Sequence, residues 1–115
     1  MALITYGHMR IPIERIEGGV LRPVAGAQVY VYKDRADGTP SIDSAGNVLA
    51  SAILASLFSG PLLTSPAIIQ PLTTDSEGYL DCYADNDEYH YRVVLADGSV
   101  FGQIGLPFSS PRARY

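Results

Sequence analysis

Apolar and polar residues alternate most cleanly through Ala27-Gln-Val-Tyr-Val-Tyr32. Ala27, Val29 and Val31 share one face there, and Gln28, Tyr30 and Tyr32 the other. Strict alternation of β-branched residues predicts a half-buried strand, opened by a turn at Pro23 to Gly26. The pattern returns after Pro71-Leu-Thr-Thr-Asp-Ser-Glu-Gly78. Leu80, Cys82 and Ala84 point inward from the next strand, and Tyr79, Asp81 and Tyr83 outward. Asp75 to Gly78 reads as a tight turn, because Asp bonds the backbone two residues on and Gly supplies positive φ. A third alternation puts Tyr89, Tyr91, Val93 and Leu95 inward and His90, Arg92 and Val94 outward. Asp85 to Glu88 is expected to be a hairpin turn before it, and Ala96 to Ser99 a second turn after it. Val100 to Leu106 forms a last strand, weakened by Gly102 and Gly105.

The remaining stretches are less regular. Ala2 to Tyr6 reads as a short strand. Met9, Ile11, Ile13 and Ile16 are then interspersed with Arg10, Pro12, Glu14 and Arg15, the pattern of an extended arm or edge strand ended by Gly18-Gly19. Four large apolar side chains on an arm must be buried, on its own sandwich or on another subunit. Lys33 to Gly46 is a loop by composition. Asn47 to Phe58 fits either a helix, with Ile53 and Leu57 at i,i+4, or a strand, with Ile53, Ala55 and Leu57 alternating; a strand followed by irregular chain is preferred. Two prolines break Ser59 to Pro66, and Pro107 to Tyr115 is an Arg-tipped tail. Short strands separated by turns predict an all-β chain, a small antiparallel sandwich. The division is an N-terminal arm or edge strand at 1–19, a sandwich at 20–108 and a tail at 109–115.

The chain has 115 residues, one domain's worth. Charged residues make up 17%, against a usual ~25%, so part of the surface is expected to be covered by neighbours. Eight Tyr and no Trp agree with half-wet contacts. The net charge of −4 and a single lysine, Lys33, argue against nucleic-acid binding. The apolar run from Val48 to Phe58 falls short of the roughly 18 residues of a membrane span. With no basic leader, the protein is expected to be soluble, made in a cytoplasm and free of membrane.

Candidate chemistry is sparse. His8 and His90 lie far apart in the sequence, and His90 is expected at a surface. Cys82 reads as a small buried hydrophobe. Asp81, Asp85, Asp87 and Glu88 gather hard oxygens but lack the spacing of a calcium loop, so they read as solvated turn carboxylates. No catalytic, cofactor or metal residue is expected. The outward tyrosines Tyr30, Tyr32, Tyr79 and Tyr83 are contact candidates. So are Ile4, Tyr6, Met9, Ile11 and Ile13 of the arm, and Phe108, Arg112, Arg114 and Tyr115 near the C-terminus.

Three pieces taken in order resemble a known pattern: Pro23-Val-Ala-Gly-Ala-Gln-Val-Tyr-Val-Tyr32, Pro71-Leu-Thr-Thr-Asp-Ser-Glu-Gly-Tyr-Leu-Asp-Cys-Tyr-Ala84 and Tyr89-His-Tyr-Arg-Val-Val-Leu95. Together they resemble the transthyretin-like or carboxypeptidase-regulatory-like β-sandwich domains of tailed-bacteriophage virion proteins. Gln70 stands where that pattern has Asn, and Leu80 and Cys82 replace paired aromatics. The resemblance covers roughly residues 20 to 96 and implies a virion structural protein without enzyme activity or cofactor. Its implied role is capsid decoration, cementing neighbouring capsid subunits. The alternatives are an adaptor for a tail fibre, spike or neck fibre, and a carbohydrate- or receptor-binding module. Implied partners are copies of itself, as a trimer by analogy, and the major capsid protein or another virion protein.

Overall fold

Period-2 patterning of the kind seen at residues 27–32 needs a second layer to bury against, and the chain supplies one. The computed structural model describes residues 6–85 and 87–108, with side chains as far as residue 105. All regular elements among them are strands. β1 (Gly7–Pro12) runs antiparallel to β7 (Tyr79–Ala84), from Gly7↔Ala84 to Pro12↔Tyr79. β2 (Glu14–Glu17) and β3 (Val20–Pro23) form a hairpin across Gly18-Gly19, whose φ angles of 59° and 80° suit a two-residue primed turn. The other layer has the order β5 (Ile53–Leu54), β4 (Gln28–Lys33), β8 (Asp87–Val94), β9 (Val100–Phe108), with β6 (Leu72–Thr73) also on β4. The chain is a small all-β domain of antiparallel sheets. Met9, Leu80, Cys82 and Ala84 from the first layer meet Val29, Val31, Tyr91 and Val93 from the second in one buried cluster.

One face of the N-terminal run is core. Met9 and Ile13 are fully buried, and β1 pairs along its whole length with β7. The hairpin β2–β3 spans residues 19–20, and β1 and β2 are paired strands, the edge-strand form of the expected N-terminal segment. Ile13 donates its N–H to Gly78 O at 2.8 Å and accepts from Val24 N–H at 2.8 Å. A strand residue points both groups to the same side, so β7 and β3 both lie on one side of the run from Gly7 to Glu17. Of the expected strand at residues 2–6, residues 2–5 lie outside the described residues, and Tyr6 is not in a strand.

β4 is central. One edge carries β8 from Gln28↔Val94 to Tyr32↔His90. The other edge is a composite. Thr74 Oγ1 accepts from Ala27 N–H at 3.0 Å and donates to Val24 O at 2.6 Å, and β6 then covers Gln28 and Val29. The Gln70 side chain takes the next place: its Oε1 accepts from Val31 N–H at 2.7 Å and its Nε2 donates to Ala55 O at 2.8 Å. β5 finishes the edge opposite Tyr32 and Lys33.

Two expectations are corrected here. Asp85 to Glu88 is not a hairpin turn, because β7 pairs with β1 while β8 lies between β4 and β9. The segment crosses between layers, and Tyr89 Oη donates to Asp85 O at 2.7 Å across it. In residues 47–58 the strand is only Ile53–Leu54. At the start of that strand Ser41 Oγ accepts from Ile53 N–H at 3.0 Å and donates to Lys33 O at 2.6 Å, so a side chain bridges the end of β4 to β5.

The Gln70 bonds give a direct test. Gln70→Ala removes the partner that the Val31 N–H has among the described residues and should cost about 1–3 kcal/mol, the usual cost of an orphaned buried donor. Urea unfolding of the two proteins measures it, and an unchanged midpoint would show that water or a shifted β5 takes over.

Candidate functional site

The outer face of β1 and β7 is built by the β1–β7 register. His8 lies opposite Tyr83, Arg10 opposite Asp81 and Pro12 opposite Tyr79, the pairings that let cross-strand side chains touch. His8 Nε2 is 2.6 Å from Asp81 Oδ1, and its ring stacks on Tyr83 with centroids 4.8 Å apart. Arg10 reaches Asp81 Oδ2 at 3.1 Å, Asp75 Oδ2 at 3.3 Å and Glu77 at 3.8 Å, and lies 4.1 Å over the Tyr79 ring. These exposed groups satisfy one another. Asp81 is therefore part of this ladder and does not join the acids at Asp85 to Glu88.

Asp75 anchors the turn as expected. Its Oδ1 accepts from Glu77 N–H at 2.9 Å and Tyr79 N–H at 3.0 Å, and Gly78 has φ 84°. The backbone N–H of Tyr79 first, then that of Glu77 and the Arg10 charge, hold the carboxyl below its ordinary range.

Sequence reasoning missed a second centre. His90 is on the outward face of β8 but is fully buried, because residues 34–48 fold over that face. Gly102 N–H donates to Ser44 O at 3.1 Å, and Arg92 Nε to Gly46 O at 2.9 Å. The covering loop sits close because Gly102 has no side chain; a Cβ there would lie 2.4 Å from Asp43 O. Beneath it Asp34, Glu88 and His90 bring ligand-type atoms within 4.8 Å of one another. The His90 ring is fixed from both ends. Gly105 N–H, at a β8–β9 bulge, donates to Nδ1 at 2.9 Å, and Nε2 is 2.6 Å from Asp34 Oδ1. A backbone N–H can only donate, so Nδ1 accepts and the ring proton sits on Nε2, pointing at Asp34. A metal needs a ring nitrogen with a free lone pair; here that of Nδ1 is taken by the Gly105 N–H and Nε2 carries the proton. The donor set fits a structural latch and does not fit an ion.

Cys82 is inward and inert. Burial first, then the Asp81 charge, push its thiol up to about 12, and Met9 Sδ lies 3.6 Å away. Burial also raises the Tyr91 hydroxyl.

The contact candidates divide three ways. Met9 and Ile13 are corrected to core residues, and so is Tyr32, at 8% exposure, because the loop from Asp34 covers its face. Tyr6, Ile11, Tyr30, Tyr79 and Tyr83 are half-buried. Of these, Tyr6 stacks on Phe58 at 3.9 Å, and Arg92 lies 5.4 Å over Tyr30. Ile4, Arg112, Arg114 and Tyr115 lie outside the described residues, and Phe108 is described only as part of β9. Ile16, one of the four apolar side chains expected to be buried on the sandwich or another subunit, is exposed, and the structure adds exposed aliphatic side chains not named as contacts: Val20 and Leu21 on the hairpin, Ile53 and Leu54 on β5, Leu62 and Leu63 in the proline-broken loop, and Ile69. Their signal was present as apolar residues on short or irregular segments with nothing of their own to pack on.

Comparison with family models, with curated proteins and with solved structures finds no match for the chain.

Two predictions follow from these geometries. A carboxyl with a depressed folded pKa contributes stability that is present above its unfolded value and lost as pH falls through the folded one. The wild type should therefore weaken below about pH 4, and Asp75→Asn should weaken less over that window, as read from urea midpoints at pH 7 and pH 3. Asp37, Asp43 and Asp97 are depressed too, so the variant keeps part of the acid response. For His90, long-range proton–nitrogen NMR should show a protonated Nε2 and an accepting Nδ1, unchanged by added zinc. A zinc-induced shift of Nε2 would overturn the latch.

Proposed function

We propose that this chain is a structural protein of a tailed-phage particle, a capsid decoration protein that binds neighbouring capsid subunits and cements them. The observation that carries this reading is the distribution of exposed aliphatic side chains. Tyr6 N–H bonds Pro61 O at 2.8 Å, which sets the Leu62–Leu63 loop at the start of β1. The hairpin bearing Ile16, Val20 and Leu21 leaves from its other end. Ile16 is 71% exposed, Leu21 61%, Leu62 57% and Leu63 61%. Two apolar patches separated by the length of a six-residue strand, about 20 Å, suit a part that must touch more than one neighbour. The resemblance of the three sequence pieces to virion sandwiches supports the same reading. The glycan-binding alternative loses its best feature, since the Tyr83 ring stacks on His8 and Asp81 is engaged by His8 and Arg10.

Cementing works here by many small apolar contacts multiplied over the shell. Quantifying the chain in purified particles of the virus that encodes it tests this. Hundreds of copies per particle are expected, along with earlier heat rupture of particles lacking the protein. A small symmetric set of copies would assign it to a fibre or neck adaptor instead, and absence from particles would overturn the virion reading.

A further inference from the structure

The run from Gly7 to Glu17 has one side taken by β7 and β3, and its opposite side is an open edge. Odd-numbered residues turn their N–H and C=O toward the partners, as Ile13 shows, so His8, Arg10, Pro12, Glu14 and Ile16 turn theirs to the open side. Most of that edge is guarded. His8 and Arg10 have polar side chains tied into the ladder, Pro12 has no N–H to offer, and Glu14 O accepts from Gln103 Nε2 at 3.1 Å. Ile16 is different. Its outward N–H and C=O have no partner among the described residues, and its side chain is 71% exposed beside Leu21 at 61%.

We propose that β2 pairs edge to edge with β2 of a second copy of this chain, antiparallel, about a twofold axis through Ile16. In that register the two Ile16 residues exchange reciprocal N–H to C=O hydrogen bonds. Arg15 of each copy then stands opposite Glu17 of the other, so two opposite-charge pairs flank the axis. Within one chain Arg15 and Glu17 are already 3.6 Å apart, so both heads are on the same face and available to the neighbouring copy. Moving the axis by one residue, to Arg15 or to Glu17, would set two arginines or two glutamates opposite each other, so the charges favour the register on Ile16. Leu21, Ile16, Ile16 and Leu21 form one apolar row across the resulting four strands. A groove of about 590 Å³, lined by Ile16, Leu21, Leu95, Phe101 and Gln103 among others, adjoins the edge and gives that row somewhere to pack. Because the contact is isologous it closes at two copies and does not propagate into fibres.

The inference deepens the assembly reading by naming one partner, and it makes the unit a dimer where analogy implied a trimer. Native mass spectrometry and sedimentation of the purified chain over a wide concentration range test it independently of any particle. A dimer is expected, with the Ile16 amide exchanging more slowly with deuterium as concentration rises. Ile16→Lys, which sets two charges against each other on the axis, should weaken dimerisation about tenfold or more. Arg15→Glu should do the same, and adding Glu17→Arg to it should restore the dimer. Circular dichroism checks that each variant is folded, and if Ile16→Lys is not, the charge-swap pair decides. A wild type that stays monomeric at high concentration, or a dimer indifferent to these changes, would overturn the proposal. Loss of the particle location alone would leave it standing.

Discussion

The rest of the structure depends on pairing both edges of β4. A strand buried at the centre of a sheet cannot leave its N–H and C=O groups unpaired, because each orphan costs as much as a lost hydrogen bond. β8 meets this on one edge with an ordinary ladder. The other edge draws on distant, short pieces: Thr74, Leu72–Thr73, the Gln70 amide, Ala55 and Ile53–Leu54. This one requirement fixes the stretch before the Asp75 turn, the irregular chain after Ser51 and, through Ser41, the loop that follows β4. Thr74 also bonds Val24 O, which joins the second layer to the chain entering from the hairpin.

That arrangement explains what was legible in the sequence. β4, β7 and β8 were readable because their inward residues repeat at period 2 and their burial follows from the pleat alone. The Asp75 turn was readable because its Asx bonding and its glycine are local. What failed to show depends on contacts far apart in sequence. A glutamine side chain standing in for a strand has no periodic signature. The assignment of β7 and β8 to different layers hangs on which strands they pair with, and the residues between them read equally well as a hairpin. His90 and Tyr32 were placed outward correctly by the pleat and are buried all the same, because a loop with no pattern of its own lies across them.

The groups that looked most chemical are the ones the fold uses internally. His90 holds a bulge with one nitrogen and a loop with the other. Cys82 fills core space beside Met9. Asp75 and Asp81 close a turn and a cross-strand ladder. Each has partners that account for its position and its shift, where one is present.

The aliphatic side chains on the hairpin and in the loop at residues 61–66 have no such account. Leaving a leucine or isoleucine in water forgoes roughly 1.5–3 kcal/mol of burial, and a chain with so few charged residues has little polar surface to dilute the patches. A patch of a few hundred Å² holds weakly when met once. The same patch is effective where neighbours are fixed at a repeating distance, because each contact after the first forms at high effective concentration. The edge of the N-terminal run shows the selectivity this demands. It is closed to pairing at His8, Arg10 and Pro12, where any passing strand could add. At Ile16 no such guard stands, and the proposed pairing there sets charges of opposite sign against each other.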